Sequence, residues 1–278
     1  MPEAPELACN RDYLNEVVNG KVLRNLSPQP GGRWKVNPPP GWTHFIHEME
    51  AMGCPTVEEI QTKGKFMWWK FSFPGSSMRH YLHNSFGMSG GWYPHTSKHT
   101  GFKVEWKDGE VNFTDPRHFG TLKFICNEDI HLRKLATLGP CILGSDITKE
   151  LFENRMILQK RPQKICESLM NQHIISGVGN YIKSESLLRA GISPWRSTSD
   201  ITKEECTKLF QSITNVARES YMSHGASIKT YTKPDGLKGA AQFSFRIYSK
   251  KLCHLGHNVI NETTPDGRTS WWCDTCQK

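Results

Sequence analysis

The tail of the chain reads Cys253-x3-His257-x15-Cys273-x2-Cys276. Four soft donors in two close pairs, separated by an insert of hairpin length, restrict the fold more than any other feature. A zinc ion takes four nitrogen or sulfur ligands in a tetrahedron, and each pair spans one edge of it. Four protein ligands leave no position for a reactive water, so the spacing predicts one structural zinc stapling a β-hairpin. A tail of roughly 30 residues is too short for a core of its own, and metal binding then supplies folding free energy. The other reading of the same residues, three buried thiols and a surface histidine, stays open at this point.

The other cysteines, Cys9, Cys54, Cys126, Cys141, Cys166 and Cys206, are scattered without paired spacing, and the total of nine is odd. That usage predicts reduced thiols in a cytosolic or nuclear compartment and not a secreted disulfide framework. The start, Met1-Pro2-Glu3-Ala4-Pro5-Glu6, has neither the basic nor the apolar region of a signal peptide. No window approaches the apolar run of about 18 residues that a membrane helix needs, so no membrane is expected. Nine Trp and thirteen Phe in 278 residues are enough to close a core, which argues against disorder. A net charge of +8 permits a polyanionic partner without requiring one.

Residues 6–18 place Leu7, Leu14, Val17 and Val18 at helical spacing before Gly20. A short helix is expected near 43–52, after Pro38-Pro39-Pro40. From 65 to 125 the pattern is β, with a hairpin turn at Lys107-Asp108-Gly109-Glu110. Beyond Pro140 it turns helical: one helix from Thr148, two over 163–173 and 180–190, and a long one opened by the capping box Thr202-x-x-Glu205 and closed near Gly225. Residues 226–244 read as a loop, and two short strands flank a turn at Pro265-Asp266-Gly267. The division near 140 predicts an α+β protein: a β-rich domain over 1–140 and a helical domain over 141–278 that includes the finger, 245–278.

Between Arg155 and Arg196 there are seven Lys/Arg against two Asp/Glu. The stretch includes Gly177-Val178-Gly179-Asn180 at a helix start, where backbone N–H groups and the Asn180 amide are placed to grip a phosphate. A tight connection without a ligand is the plainer reading of a Gly-x-Gly turn.

Taken together, Pro2-Glu3-x-Pro5-Glu6, Gly64-Lys65-Phe66 on a strand, Thr114-Asp115-Pro116-Arg117-His118-Phe119-Gly120, Gly177-Val178-Gly179-Asn180-Tyr181-Ile182-Lys183-Ser184-Glu185-Ser186-Leu187 and the finger resemble the formamidopyrimidine-DNA glycosylase / endonuclease VIII family of base-excision repair enzymes. The resemblance covers essentially the whole chain. It implies an N-terminal β-sandwich with a leading helix, a helix–two-turn–helix domain with a zinc-stapled hairpin, and DNA in the cleft between them. His257 stands where much of the family has Cys, which resembles the Nei-like subgroup with a Cys-His-Cys-Cys finger and tilts the expected substrate toward oxidised pyrimidines. The length of the 226–244 loop points the other way, to formamidopyrimidine-type enzymes.

The resemblance implies a bifunctional DNA glycosylase and abasic-site lyase, acting as a monomer on damaged duplex or single-stranded DNA. Once Met1 is removed, Pro2 is a secondary amine. An α-amino group titrates near ~7.7–8.0, so much of it is free base at neutral pH. It is placed to attack C1′ of a damaged nucleotide and form an iminium, the electron sink for β,δ-elimination. Glu3 would shuttle protons, Glu6 would support the site, and Lys65 would serve a phosphate or the proton path. Asn180 and Arg268 would hold backbone phosphates. Met88, Arg117 and Phe119 would fill the gap left by the extruded base. Two rival readings remain: a non-catalytic zinc-finger DNA-binding protein with a glycosylase-like fold, and a structural RNA- or ribosome-associated zinc protein.

Overall fold

The computed structural model describes residues 2–156, 161–227 and 239–278. The expected removal of Met1 and most of the expected 226–244 loop fall outside them. In chain order the described elements are α1 (Ala4–Val18), β1 (Leu23–Pro28), α2 (Trp42–Met52), β2 (Thr56–Lys63), β3 (Phe66–Ser72), β4 (Arg79–Ser85), β5 (Gly91–Tyr93), β6 (Thr100–Trp106), β7 (Gly109–Thr114), β8 (Thr121–Ile125), α3 (Glu128–Ala136), α4 (Lys149–Met156), α5 (Ile165–Met170), α6 (Asn180–Ala190), α7 (Lys203–Met222), β9 (Ile260–Thr263) and β10 (Thr269–Trp272). They divide into two compact units. One holds Pro2, Glu6–Thr137 and, from later in the chain, Ala226, Ser227 and Gly239; the other holds Glu3–Pro5, Leu138–Gly225 and Ala240–Lys278.

The first unit contains two four-stranded sheets, β1-β6-β7-β5 and β2-β3-β4-β8, with antiparallel pairing throughout. Alternation along β3 buries Trp69 and Phe71 on one face, and they join Trp92, Phe102, Val104, Val111 and Phe113 of the other sheet in one cluster. This is the expected sandwich. The leading helix adds Leu7, Leu14 and Val18 to that cluster. Two asparagines lace it to both sheets. The Asn10 amide donates to the Trp92 carbonyl at 3.1 Å and accepts from the Trp92 N–H at 3.1 Å. Asn15 does the same at Ile60, at 2.8 and 3.0 Å. Each amide is paired on both sides, which offsets its desolvation, Asn10 being buried and Asn15 half-buried.

Helix α3 extends beyond the β pattern read over 65–125. Asn127 caps it by accepting from the Ile130 N–H, with Glu128 and Asp129 in the first turn and Arg133 and Lys134 in the last, the charge order a helix dipole favours.

In the second unit α6 and α7 pack together, α7 starting with the expected Thr202–Glu205 capping box. Gly191 ends α6 at φ 73°, the left-handed conformation that glycine adopts without strain. Helix α5 is shorter than the expected 163–173. Asn171 turns extended at ψ 106°, and its side chain accepts from the His173 N–H at 3.0 Å. Residues 171–179 then form the turns that precede α6. The hairpin β9–β10 pairs Thr263 with Thr269 around the expected turn. No helix among the described residues is long and apolar enough to cross a membrane.

Candidate active site and metal centre

Glu3 is buried, at 2% exposure. Its carboxylate accepts from the backbone N–H groups of Gly179 at 2.7 Å, Tyr181 at 2.9 Å and Ile182 at 3.3 Å. These are the first donors of α6, so Glu3 caps that helix with a charge its dipole favours. The expectation that this glycine turn grips a phosphate through its backbone is therefore corrected: the protein's own carboxylate takes those donors, and the Gln172 amide oxygen takes the Gly177 N–H at 2.9 Å. A Cβ at Gly179 would overlap the Glu3 carboxyl group, which is why the position carries no side chain. The Asn180 amide donates to the Thr269 carbonyl at 2.8 Å, joining α6 to the finger hairpin. Burial, then the Glu3 charge, push the Tyr248 phenol up to about 12, so it stays neutral beside that carboxylate.

Pro2 is buried immediately before the helix. Glu6, also buried, accepts from the Ala226 N–H at 2.7 Å and so ties the first turns of α1 to the chain that follows α7. Lys65 is not on a strand. It lies with Gly64 in the two-residue turn between β2 and β3, where Gly64 takes φ 59°, as a tight hairpin's first central residue does.

Met88 lies in the loop after β4, Arg117 and Phe119 lie in the loop between β7 and β8, and the two loops adjoin. The Arg117 guanidinium stands 5.1 Å from the Phe119 ring centroid, and Phe119 is 55% exposed. Gly87 lets the loops touch: its missing Cβ would lie 2.6 Å from the Phe119 carbonyl carbon, and its φ is +57°. Sequence reasoning missed the residue that builds this pair. Buried Asp115 accepts from the Ser89 hydroxyl at 2.5 Å, the Arg117 N–H at 3.2 Å and the Gly120 N–H at 2.6 Å. The Asp-Pro step was a legible turn signal; which loop it would hold was not. Glu185 was missed likewise. Fully buried, it accepts from the N–H groups of Arg246, Ile247 and Tyr248 at 2.9, 2.9 and 2.8 Å.

The basic stretch is less basic than its composition. Lys183 pairs with Asp266 at 2.5 Å, Arg189 with Glu219 at 2.7 Å and Arg196 with Glu205 at 3.0 Å. Arg268 is exposed in the finger turn.

Cys253, His257, Cys273 and Cys276 converge, their ligand atoms all within 4.8 Å of one another. The Cys253 and Cys276 sulfurs are 3.9 Å apart, and His257 Nδ1 is 3.7 and 3.2 Å from them. Metal–sulfur bonds of about 2.3 Å in a tetrahedron require sulfurs ~3.8 Å apart, so the donor set fits a tetrahedral metal. The centre is docked on the helical unit: Gln277 donates to the Ile192 carbonyl at 2.8 Å while accepting from the Cys273 N–H at 2.9 Å. Leu188 and Ile247 pack beside Cys253 and Cys273.

Residues 1–122 match the family described as formamidopyrimidine-DNA glycosylase N-terminal domain, and residues 138–232 match the formamidopyrimidine-DNA glycosylase H2TH domain. The formamidopyrimidine-DNA glycosylase of Wolbachia pipientis strain wPip is 30% identical over 285 residues, covering 100% of both chains. That of Shouchella clausii is 30% identical over 286 residues, covering 100% of this chain and 99% of its own. The crystal structure of the MutM (Fpg) protein from Thermus thermophilus superposes with a TM-score of 0.81 at 28% identity, covering 99% of this chain and 98% of its own. A Lactococcus lactis Fpg mutant in complex with Fapy-dG-containing DNA shares the fold, with a TM-score of 0.85 at 23% identity and 100% of both chains covered. The chain belongs to the formamidopyrimidine-DNA glycosylase / endonuclease VIII family, DNA glycosylases that also cleave abasic sites.

Proposed function

We propose that this chain removes oxidised bases from DNA and cleaves the resulting abasic site by β,δ-elimination, with Pro2 as nucleophile and Glu3 as proton shuttle. The observation that carries the reading is the Glu3 carboxylate fixed by three N–H donors at the start of α6, one residue from a buried proline. With Met1 removed, the Pro2 lone pair attacks C1′ and the base departs. A secondary amine yields a cationic iminium, which draws electrons from C2′ as the strand breaks. Glu3 moves protons during ring opening and elimination. Lys65 serves a phosphate or the base-side proton path. Glu6 supports the site through its bond to Ala226.

Residues 1–140 form the catalytic domain and 141–278 the helix–two-turn–helix domain with its finger. Asn180 and Arg268 hold DNA phosphates. Met88, Arg117 and Phe119 fill the space of the flipped nucleotide; the joined loops and the exposed Phe119 ring support this. One structural zinc is held by Cys253, His257, Cys273 and Cys276, a donor set that suits it. The protein acts as a monomer on damaged DNA, duplex or single-stranded, in a reducing intracellular compartment. The Cys-His-Cys-Cys ligand set argues for oxidised pyrimidines, whereas the relatives' names argue for formamidopyrimidines. A panel of oligonucleotides, each with one lesion and scored separately for base release and strand scission, tests the function and decides between these substrates. Lesion binding without base release or scission would support the rival of a non-catalytic DNA-binding protein.

A further inference from the structure

Lys183 lies one turn into α6 with its side chain 0% exposed, and the Asp266 side chain facing it is 2% exposed. The ammonium and the carboxylate are 2.5 Å apart. Asp266 sits in the finger turn, two residues before Arg268. The Thr264 hydroxyl donates to its second oxygen at 2.5 Å, and the Thr264 N–H donates to the Arg268 carbonyl at 3.0 Å. Ser270, also buried, has its hydroxyl 2.6 Å from that of Thr264. Both oxygens of Asp266 are thus engaged, and the same short network reaches the Arg268 backbone. Burial pulls the Lys183 ammonium below the ordinary lysine range against the opposing pull of Asp266. Stability does not explain such a pair, because a buried ion pair rarely surpasses an apolar pair of similar size. What it adds is direction, since both charged groups must meet in one geometry.

We infer that the Lys183–Asp266 pair is a positioning latch that locks the finger turn onto α6 and so aims Arg268 at a DNA phosphate. The inference rests on the assignment of Arg268 to a phosphate in the proposed function. Arg268 itself is exposed on a hairpin turn, and a long side chain on an unanchored turn would lose conformational freedom on binding. The latch removes the turn's share of that loss beforehand, so Arg268 acts through a preset backbone.

The test is equilibrium binding of the metal-loaded protein to a duplex with a tetrahydrofuran abasic-site analogue, at several salt concentrations. Binding is the readout because Lys183 also feels the Glu3 charge, which would confound a rate. Arg268→Ala should flatten the log–log salt slope by about one unit. Asp266→Asn should flatten it equally, and combining the two should flatten it no further. The apolar pair Lys183→Met with Asp266→Leu guards against misfolding of the single variant. It should keep the wild-type melting temperature and metal content yet show the flattened slope. A purely structural pair would instead recover slope and stability together, which would overturn the latch. So would a wild-type slope in Asp266→Asn when Arg268→Ala is flattened. If Arg268→Ala itself keeps the full slope, the phosphate assignment falls first and the latch falls with it.

Discussion

A methyl group at position 179 would occupy the space of the Glu3 carboxyl group. The glycine and the glutamate, 176 residues apart, are therefore one structural decision. Gly179→Ala should displace Glu3 from the N–H donors of α6 and lower single-turnover base release by about 10²-fold or more, the range of a lost acid–base group. Lesion binding should change far less. Glu3→Gln preserves shape but removes the proton shuttle, and should reduce base release by a similar factor in the same assay. If either variant releases base at the wild-type rate, Glu3 is a helix cap and nothing more.

Among the elements, the two adjoining loops depend on Asp115. Asp115→Ala removes the acceptor of the Gly120 N–H and the Ser89 hydroxyl and leaves the Arg117 N–H only its bond to the Ser89 oxygen, a cost of ~1–3 kcal/mol, readable as a lower melting temperature. By releasing the loops it should also impair duplex substrates more than single-stranded ones, as should Met88→Ala, because only a duplex has a stack to refill. Equal impairment on both would return these side chains to a packing role. Helix α3 has its own pH signature. His83 Nε2 and His131 Nδ1 are 3.0 Å apart, and burial, then the neighbouring His131, hold the His83 imidazole down at about 4 from 6.5. The unfolded chain takes up a proton below 6.5 that the folded pair refuses until about 4. Stability is thus full above pH 6.5 and should fall as the pH drops toward 4. His83→Asn should flatten that part of a melting-temperature profile.

The elements also separate what was legible from what was not. Helices α1, α6 and α7 and the finger hairpin carry local signals, namely Gly20, Gly191, the Thr202–Glu205 box and Pro265-Asp266-Gly267, so they stand where the sequence predicts. Strand β2 hides its period because its register shifts between Val57 and Glu59, and Val57 and Ile60 are buried three residues apart. Motifs name the candidate site residues, but nothing in the local sequence marks the partners the structure gives them. Glu3 meets donors from the far side of the sequence, and the acids that neutralise Lys183, Arg189 and Arg196 all lie outside the basic stretch.

For the whole molecule, the metal centre and the sandwich have separate cores: Leu188, Ile247, Cys253 and Cys273 in one, and the two sheets with α1 in the other. Metal removal by a chelator, or Cys276→Ser, should therefore expose residues 245–278 to hydrogen exchange while the sheets stay protected. DNA affinity should fall with it, and added zinc should restore both in the wild-type protein. Well-folded protein with full affinity and no bound metal would remove the finger from the account.

In the proposed function the secondary amine of Pro2 performs the chemistry. Borohydride added during turnover should reduce the iminium and leave a covalent protein–DNA complex, and peptide mapping should place the DNA on Pro2. A version with an uncleaved N-terminal extension should bind lesion DNA but neither trap nor cut it. A cross-link mapped to Lys65, or full-rate cleavage by the extended protein, would contradict the assignment.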